Sequence, residues 1–182
     1  MEVVEGIADV GDAVEHSSTS PRSQAHEDVD AFVERLGEIG DEHGVAVQAF
    51  DARYVVDRAH LERAVELADR AFEREDAIAR DRAVEILLYA AGRRQINRAL
   101  EMGVGEGETP VVAVVHDYDG EGDETAAAEA VAGLLTSADT LGDYDRATVL
   151  DFFDVSEREL EATDGDLADL VRERVALLTV EK

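Results

Sequence analysis

A chain of 182 residues, 45% hydrophobic and with a net charge of -27, is long enough to bury a core and too apolar to be disordered. It has no cysteine, which excludes disulfides and thiolate metal sites, and no stretch approaches the roughly 20 apolar residues of a membrane span. Its 44 acids face sixteen Arg and one Lys and are scattered rather than gathered in a tail, so the acidity is read as suited to molar salt, where the Debye length falls to roughly 3 Å, rather than as a ligand surface.

The start, Met1 to Glu5, lacks a basic segment and an apolar signal core, and the expectation is a cytoplasmic protein of one domain, residues 1–182. Val3 to Ile7 reads as a strand. The Ser- and Thr-rich residues that follow predict a mobile insertion at 16–27. From Asp28 the residues Phe32, Val33, Leu36 and Ile39 recur at helical spacing, and after Gly44 a strand is expected over Val45 to Phe50. Asp57 can cap a helix from about Arg58 to Arg74, whose stripe Leu61, Ala64, Val65, Ala68 and Phe72 marks one buried face.

The segment Asp81 to Ala91 has almost no polar face and must be a central helix, closed by Gly92 in the left-handed conformation. A second helix is expected from Arg93 to Met102. The run Val111 to Val115 is apolar without alternation, as in a mid-sheet strand covered on both faces. Helices are expected over Glu124 to Thr136, over about Arg146 to Ala162 with a break near Val155, and over Asp166 to Leu177. The fold class that results is α/β of the α+β kind: a small mixed or antiparallel sheet of three to four strands layered with several helices.

Asp117 to Asp123 has oxygens at alternate positions, as in a calcium loop, but the twelfth position, which should be Glu, is Ala128, so it reads as an acidic loop capping the next helix. The glycines from Gly103 to Gly107 do not fit dinucleotide spacing and no Walker lysine follows them. The five histidines show neither metal nor nucleophile spacing, so neither a metal site, a cofactor nor a catalytic residue is expected.

The distribution of arginine is more informative. Residues 53–98 carry ten Arg against nine acids, while 1–52 carry two against thirteen. Within Arg93 to Arg98, a helical reading puts Arg94, Asn97 and Arg98 on one face and Ile96, Ala99 and Leu100 on the other, with the helix N-terminus adding free N–H groups suited to phosphate. Arginine also offers a plane on which an unpaired base can stack. The competing possibility is that these arginines pair with carboxylates such as Glu85 and Glu101.

The sixteen residues Val84 to Ala99, with Val47 to Ala52, His60 to Val65, the strand after Pro110 and the last helix, resemble the small subunit of the archaeal KEOPS complex, the family whose animal member is the PRPK-binding protein. That resemblance implies a non-catalytic subunit in tRNA threonylcarbamoyladenosine modification. Such a subunit binds the complex's kinase/ATPase subunit, grips the single-stranded CCA end of tRNA, and meets the carbamoyltransferase subunit indirectly. The tRNA surface expected from it comprises Arg93, Arg94, Gln95, Asn97 and Arg98, with Arg80 and Arg82 by proximity and His60 as an addition. Kinase-facing residues stay unassigned, because Ile96 and Leu100 could be core or interface. A second possibility is a kinase-docking regulator with negligible RNA binding.

Overall fold

The computed structural model describes residues 1–11, 25–26 and 28–180. The expected insertion at 16–27 lies largely outside the described residues. The chain forms two compact units, one of residues 1–51 and 104–140, the other of residues 52–103 and 141–182.

The first unit is a sheet covered by helices. Its long strands are β1 (Glu2–Val10), β3 (Ala46–Asp51) and β4 (Gly107–His116), and β4 lies antiparallel between the other two. The register pairs Val4 with Ala113 and Val47 with Val115. Two short segments extend β1: β2 (Ala25–His26), which is parallel, and β5 (Thr136–Ser137), which is antiparallel. The long strands are therefore antiparallel and only the two-residue β2 is parallel, within the mixed or antiparallel alternatives left open by the sequence, and the two short segments raise the three to four expected strands to five. β1 runs beyond Ile7 because its alternation of inward residues continues through Ala8 to Val10.

Helices α1 (Val29–His43) and α5 (Glu124–Ala132) pack on this sheet. Phe32, Leu36 and Ile39 of α1 and Ala127 and Val131 of α5 meet Val4, Ala8, Val111, Ala113 and Val115 in one cluster. Every residue from Val111 to Val115 is fully buried, so β4 is covered on both faces. The expected helix through Thr136 ends instead at Ala132, and the chain returns as β5. Gly6 permits that return, because a Cβ there would stand 2.7 Å from the Thr136 carbonyl oxygen.

The second unit is helical. It contains α2 (Arg58–Glu73), α3 (Arg82–Ala91), the four-residue α4 (Ile96–Ala99), α6 (Arg146–Phe152), α7 (Glu157–Ala162) and α8 (Leu167–Leu177). Aspartates cap four of these helices: the side chains of Asp57, Asp81, Asp145 and Asp166 accept from the N–H three residues on, and Asp166 and Asp169 form a reciprocal capping box. The predicted break near Val155 falls between α6 and α7. The core of the unit is α3, whose residues from Glu85 to Ala91 are all buried, packed against α2 and α8.

Gly92 closes α3 at φ 60° and ψ 33°, as expected, and a Cβ there would lie 3.2 Å from the Arg174 carbonyl oxygen. Gly92→Ala combines left-handed strain with this crowding. It should destabilise the protein by about 1–2 kcal/mol or more, read as a lowered denaturant midpoint at unchanged slope.

Candidate partner-binding surface

Arginine is divided unevenly between the two units. The sheet unit has two Arg against 22 acids, whereas the helical unit has fourteen Arg and Lys182 against 22. An anionic partner would be repelled least by the helical unit.

Within that unit α2 and α3 run antiparallel. At one end His60 bonds the Ala90 carbonyl oxygen at 2.8 Å, and at the other Arg82 pairs with Asp69 at 3.3 Å. Arg82 also lies over the Phe72 ring, 4.3 Å from its centroid. The turn between the helices is held from within by Glu85, which is fully buried and accepts from the backbone N–H of Ile78 at 3.0 Å and of Ala79 at 2.7 Å. Glu85 is thus spent on backbone donors rather than on an arginine. Arg80, at the end of the turn, is exposed and has no ion pair among the described residues.

Beyond Gly92 the expected helix over 93–102 reduces to α4 and a 3-10 turn, Leu100–Met102. Ala99 and Met102 are fully buried and anchor the segment. Ile96 and Leu100, expected on the packed face, are instead 46% and 56% exposed. A four-residue helix also has too few aligned peptides for its N-terminus to attract phosphate appreciably. With three residues per turn after Ala99, Met102 stacks over Ala99 and Leu100 is turned about a third of a turn away from that buried side.

The arginines of this segment divide. The Arg93 guanidinium turns inward, donating from Nη2 to the Phe152 carbonyl oxygen and to the Asp154 carboxylate at 2.9 Å, with its Nε buried. Arg93 therefore joins α3 to the end of α6, a correction to its expected place on a tRNA surface. Arg94, Gln95, Asn97 and Arg98 are exposed side by side. Arg98 pairs with Glu101 at 2.7 Å, an exposed pair three residues apart that contributes little and exchanges readily.

His60 must also be withdrawn from the surface. Its side chain is wholly buried, its ring packs edge-on against Phe153 at 5.7 Å, and its Nδ1 has no partner among the described residues. Burial pushes its pKa down to about 4, only partly offset by the bond to Ala90. Arg80 precedes and Arg82 opens a helix of ten residues, roughly 15 Å long, and so both stand at the opposite end of α3 from Arg94 and Arg98. Sequence proximity does not bring these two groups together.

Two arginines of α8 with structural roles are absent from the sequence-based set. Arg172 bonds Asp57 and Asp169, and Arg174 reaches the carbonyl oxygen of Phe153 at 3.3 Å and the Glu159 carboxylate at 2.7 Å. The spacing from Asp169 to Arg172 was a legible signal for one of these bonds. The others join elements far apart in the chain. In the acidic loop, Asp117 accepts from the N–H of Asp119 and Gly120, and Asp123 caps α5. Among the described residues no group of three His, Asp or Glu is placed to hold a metal ion.

The buried His60 should leave a signature in the dependence of stability on pH. It stays neutral in the folded state down to about pH 4, whereas the unfolded chain takes up the proton near 6.5, so the unfolded state binds more protons between these values. Stability then falls as pH drops from 6.5 toward 4, by on the order of 3 kcal/mol, and is flat in this respect above 6.5. The difference between the parent and His60→Gln, followed by denaturant titration across that range, should recover this slope.

No curated protein matches the chain significantly. The family model described as kinase binding protein CGI-121 matches residues 28–179, which span α1 through the end of α8 and hence both units. With a match over most of its length, the chain belongs to the CGI-121 kinase-binding protein family.

Proposed function

We propose that the chain is a non-catalytic, kinase-binding subunit of the KEOPS tRNA-modification complex, and that the segment from Arg94 to Leu100 is its main partner-facing surface. The observation that carries this reading is the exposure of Ile96 and Leu100, two aliphatic side chains set among Arg94, Asn97 and Arg98 on the less acidic unit. A protein with 44 acids gains nothing from an aliphatic pair in water, and an apolar centre with a polar, arginine-bearing rim is the composition of a protein interface. The family description supports a kinase as the partner.

Recruitment of tRNA through its single-stranded CCA end is the second half of the proposal. Arg94, Gln95, Asn97 and Arg98 supply stacking planes and hydrogen-bond donors, the features by which unpaired nucleotides are held. With a net charge of -27, and in concentrated salt where counterion release is weak, such binding would lean on stacking and hydrogen bonds. The inward turn of Arg93 and the pairing of Arg98 with Glu101 favour, by contrast, a kinase-docking subunit with negligible RNA affinity of its own.

Co-purification with the kinase/ATPase subunit tests the first half. Ile96→Glu and Leu100→Glu, both at exposed positions, should leave stability intact and weaken kinase binding roughly 10-fold or more. Undiminished binding by the double variant would remove this segment from the interface. For the second half, tRNA with and without its terminal CCA is compared on the isolated protein in concentrated KCl. Loss of binding on trimming, and on Arg94→Glu with Arg98→Glu, is expected for a CCA grip, whereas a charge-reversed protein that fully supports tRNA modification would leave only the docking role.

A further inference from the structure

The chain enters the exposed segment through Arg93. Gly92 ends α3 in the left-handed conformation, and the N–H of Arg93 closes the cap on the Leu88 carbonyl oxygen at 3.0 Å. Gln95 then supplies no side-chain cap to α4, and the buried anchors Ala99 and Met102 stand at the far end. A helix of four residues is too short to hold itself, so the course of this segment depends on how its two ends are fixed.

Two acceptors hold the Arg93 guanidinium, and their exposure decides which matters more. The Asp154 side chain is 74% exposed, so water competes for that ion pair and it contributes little. Phe152 is buried and stands in the last turn of α6, where carbonyl groups lack intrahelical donors, so its bond from Arg93 Nη2 is the stronger hold. The guanidinium also lies 5.6 Å from the centroid of the Phe152 ring. These contacts outweigh the buried Nε, which has no partner among the described residues.

We propose that Arg93 is a positioning residue for the partner surface: held by the Phe152 carbonyl oxygen, it directs the chain after Gly92 so that Ile96 and Leu100 stand outside, with Arg94 and Arg98 beside them. The inference rests on the reading of that segment as the kinase-facing surface. It gives Arg93 an effect on binding without contact with the partner. A segment fixed at both ends loses less conformational freedom on association than one fixed only at Ala99 and Met102, and that difference appears as affinity.

Amide hydrogen exchange on the free protein and kinase binding, measured on the same variants, test this. In Arg93→Gln, exchange should quicken at Arg98 and Ala99, whose N–H groups bond the Gln95 carbonyl oxygen at 3.0 and 3.1 Å. Kinase affinity of the same variant should fall roughly 10-fold. Arg174→Gln is the control for lost stability alone, because Arg174 bonds the Phe153 carbonyl oxygen and Glu159 without leading into the segment. It should leave both readouts at the parent level, and Asp154→Asn should change affinity by less than about 2-fold. Unchanged exchange at Arg98 and Ala99 in Arg93→Gln, or a loss of affinity as large in Arg174→Gln or Asp154→Asn, would overturn the inference. Should the kinase bind elsewhere, the Ile96→Glu and Leu100→Glu pair shows it, while the exchange measurement still decides whether Arg93 fixes the segment.

Discussion

The carbonyl groups at the ends of two helices organise the helical unit. An α-helix leaves its last carbonyls without intrahelical donors, and when such an end is buried something else must supply them. At the end of α3, His60 bonds Ala90. At the end of α6, Arg93 bonds Phe152 while Arg174 bonds Phe153. One residue from α2, one from the turn after α3 and one from α8 thus converge on neighbouring helix ends, around the packed rings of His60, Phe152 and Phe153. Gly92 fits this node because its backbone lies against that of Arg174.

This arrangement explains why adjacent arginines have different fates. Arg93 follows directly on the cap of α3 and lies within reach of the α6 carbonyls, so it is drawn inward. Arg94 points to the exterior, and the chain then tightens into a short helix and a 3-10 turn that bury only Ala99 and Met102. The aliphatic side chains between those anchors are left outside. A continuous helix over 93–102 would have allowed Ile96 and Leu100 to share a face with Ala99. The shorter, tighter path presents them beside the remaining polar residues instead.

Charge is partitioned with the fold. The sheet unit carries two Arg against 22 acids and the helical unit fifteen basic residues against 22, and the boundary near residue 52 coincides with the change of charge along the chain. Much of the arginine of the helical unit is consumed internally, in pairs along α2 and in the bonds made by Arg93, Arg172 and Arg174. A count of arginines along the chain therefore overstates the positive surface offered to a partner. What is available is a short stretch of backbone rather than a basic face, which is why contact by apolar and hydrogen-bonding groups carries more of the functional reading than net charge does.

Much was legible in the sequence because it is local. Aspartates one residue before most of the helices, the left-handed glycine at 92, the break near Val155 and the unalternating apolar run of β4 are short-range signals, set by backbone donors, steric freedom and solvation, and they predict the elements and the α+β class. The resemblance carried by Val84 to Ala99 likewise needed no structure. Tertiary packing alone decided which polar side chains are consumed: that His60 is interior, that Glu85 serves two backbone N–H groups rather than an arginine, and that Arg93 reaches Asp154, sixty-one residues away. Those outcomes depend on which helix ends meet in space, and hydrogen bonds formed between elements so distant in the chain leave no periodicity or spacing from which they could be read.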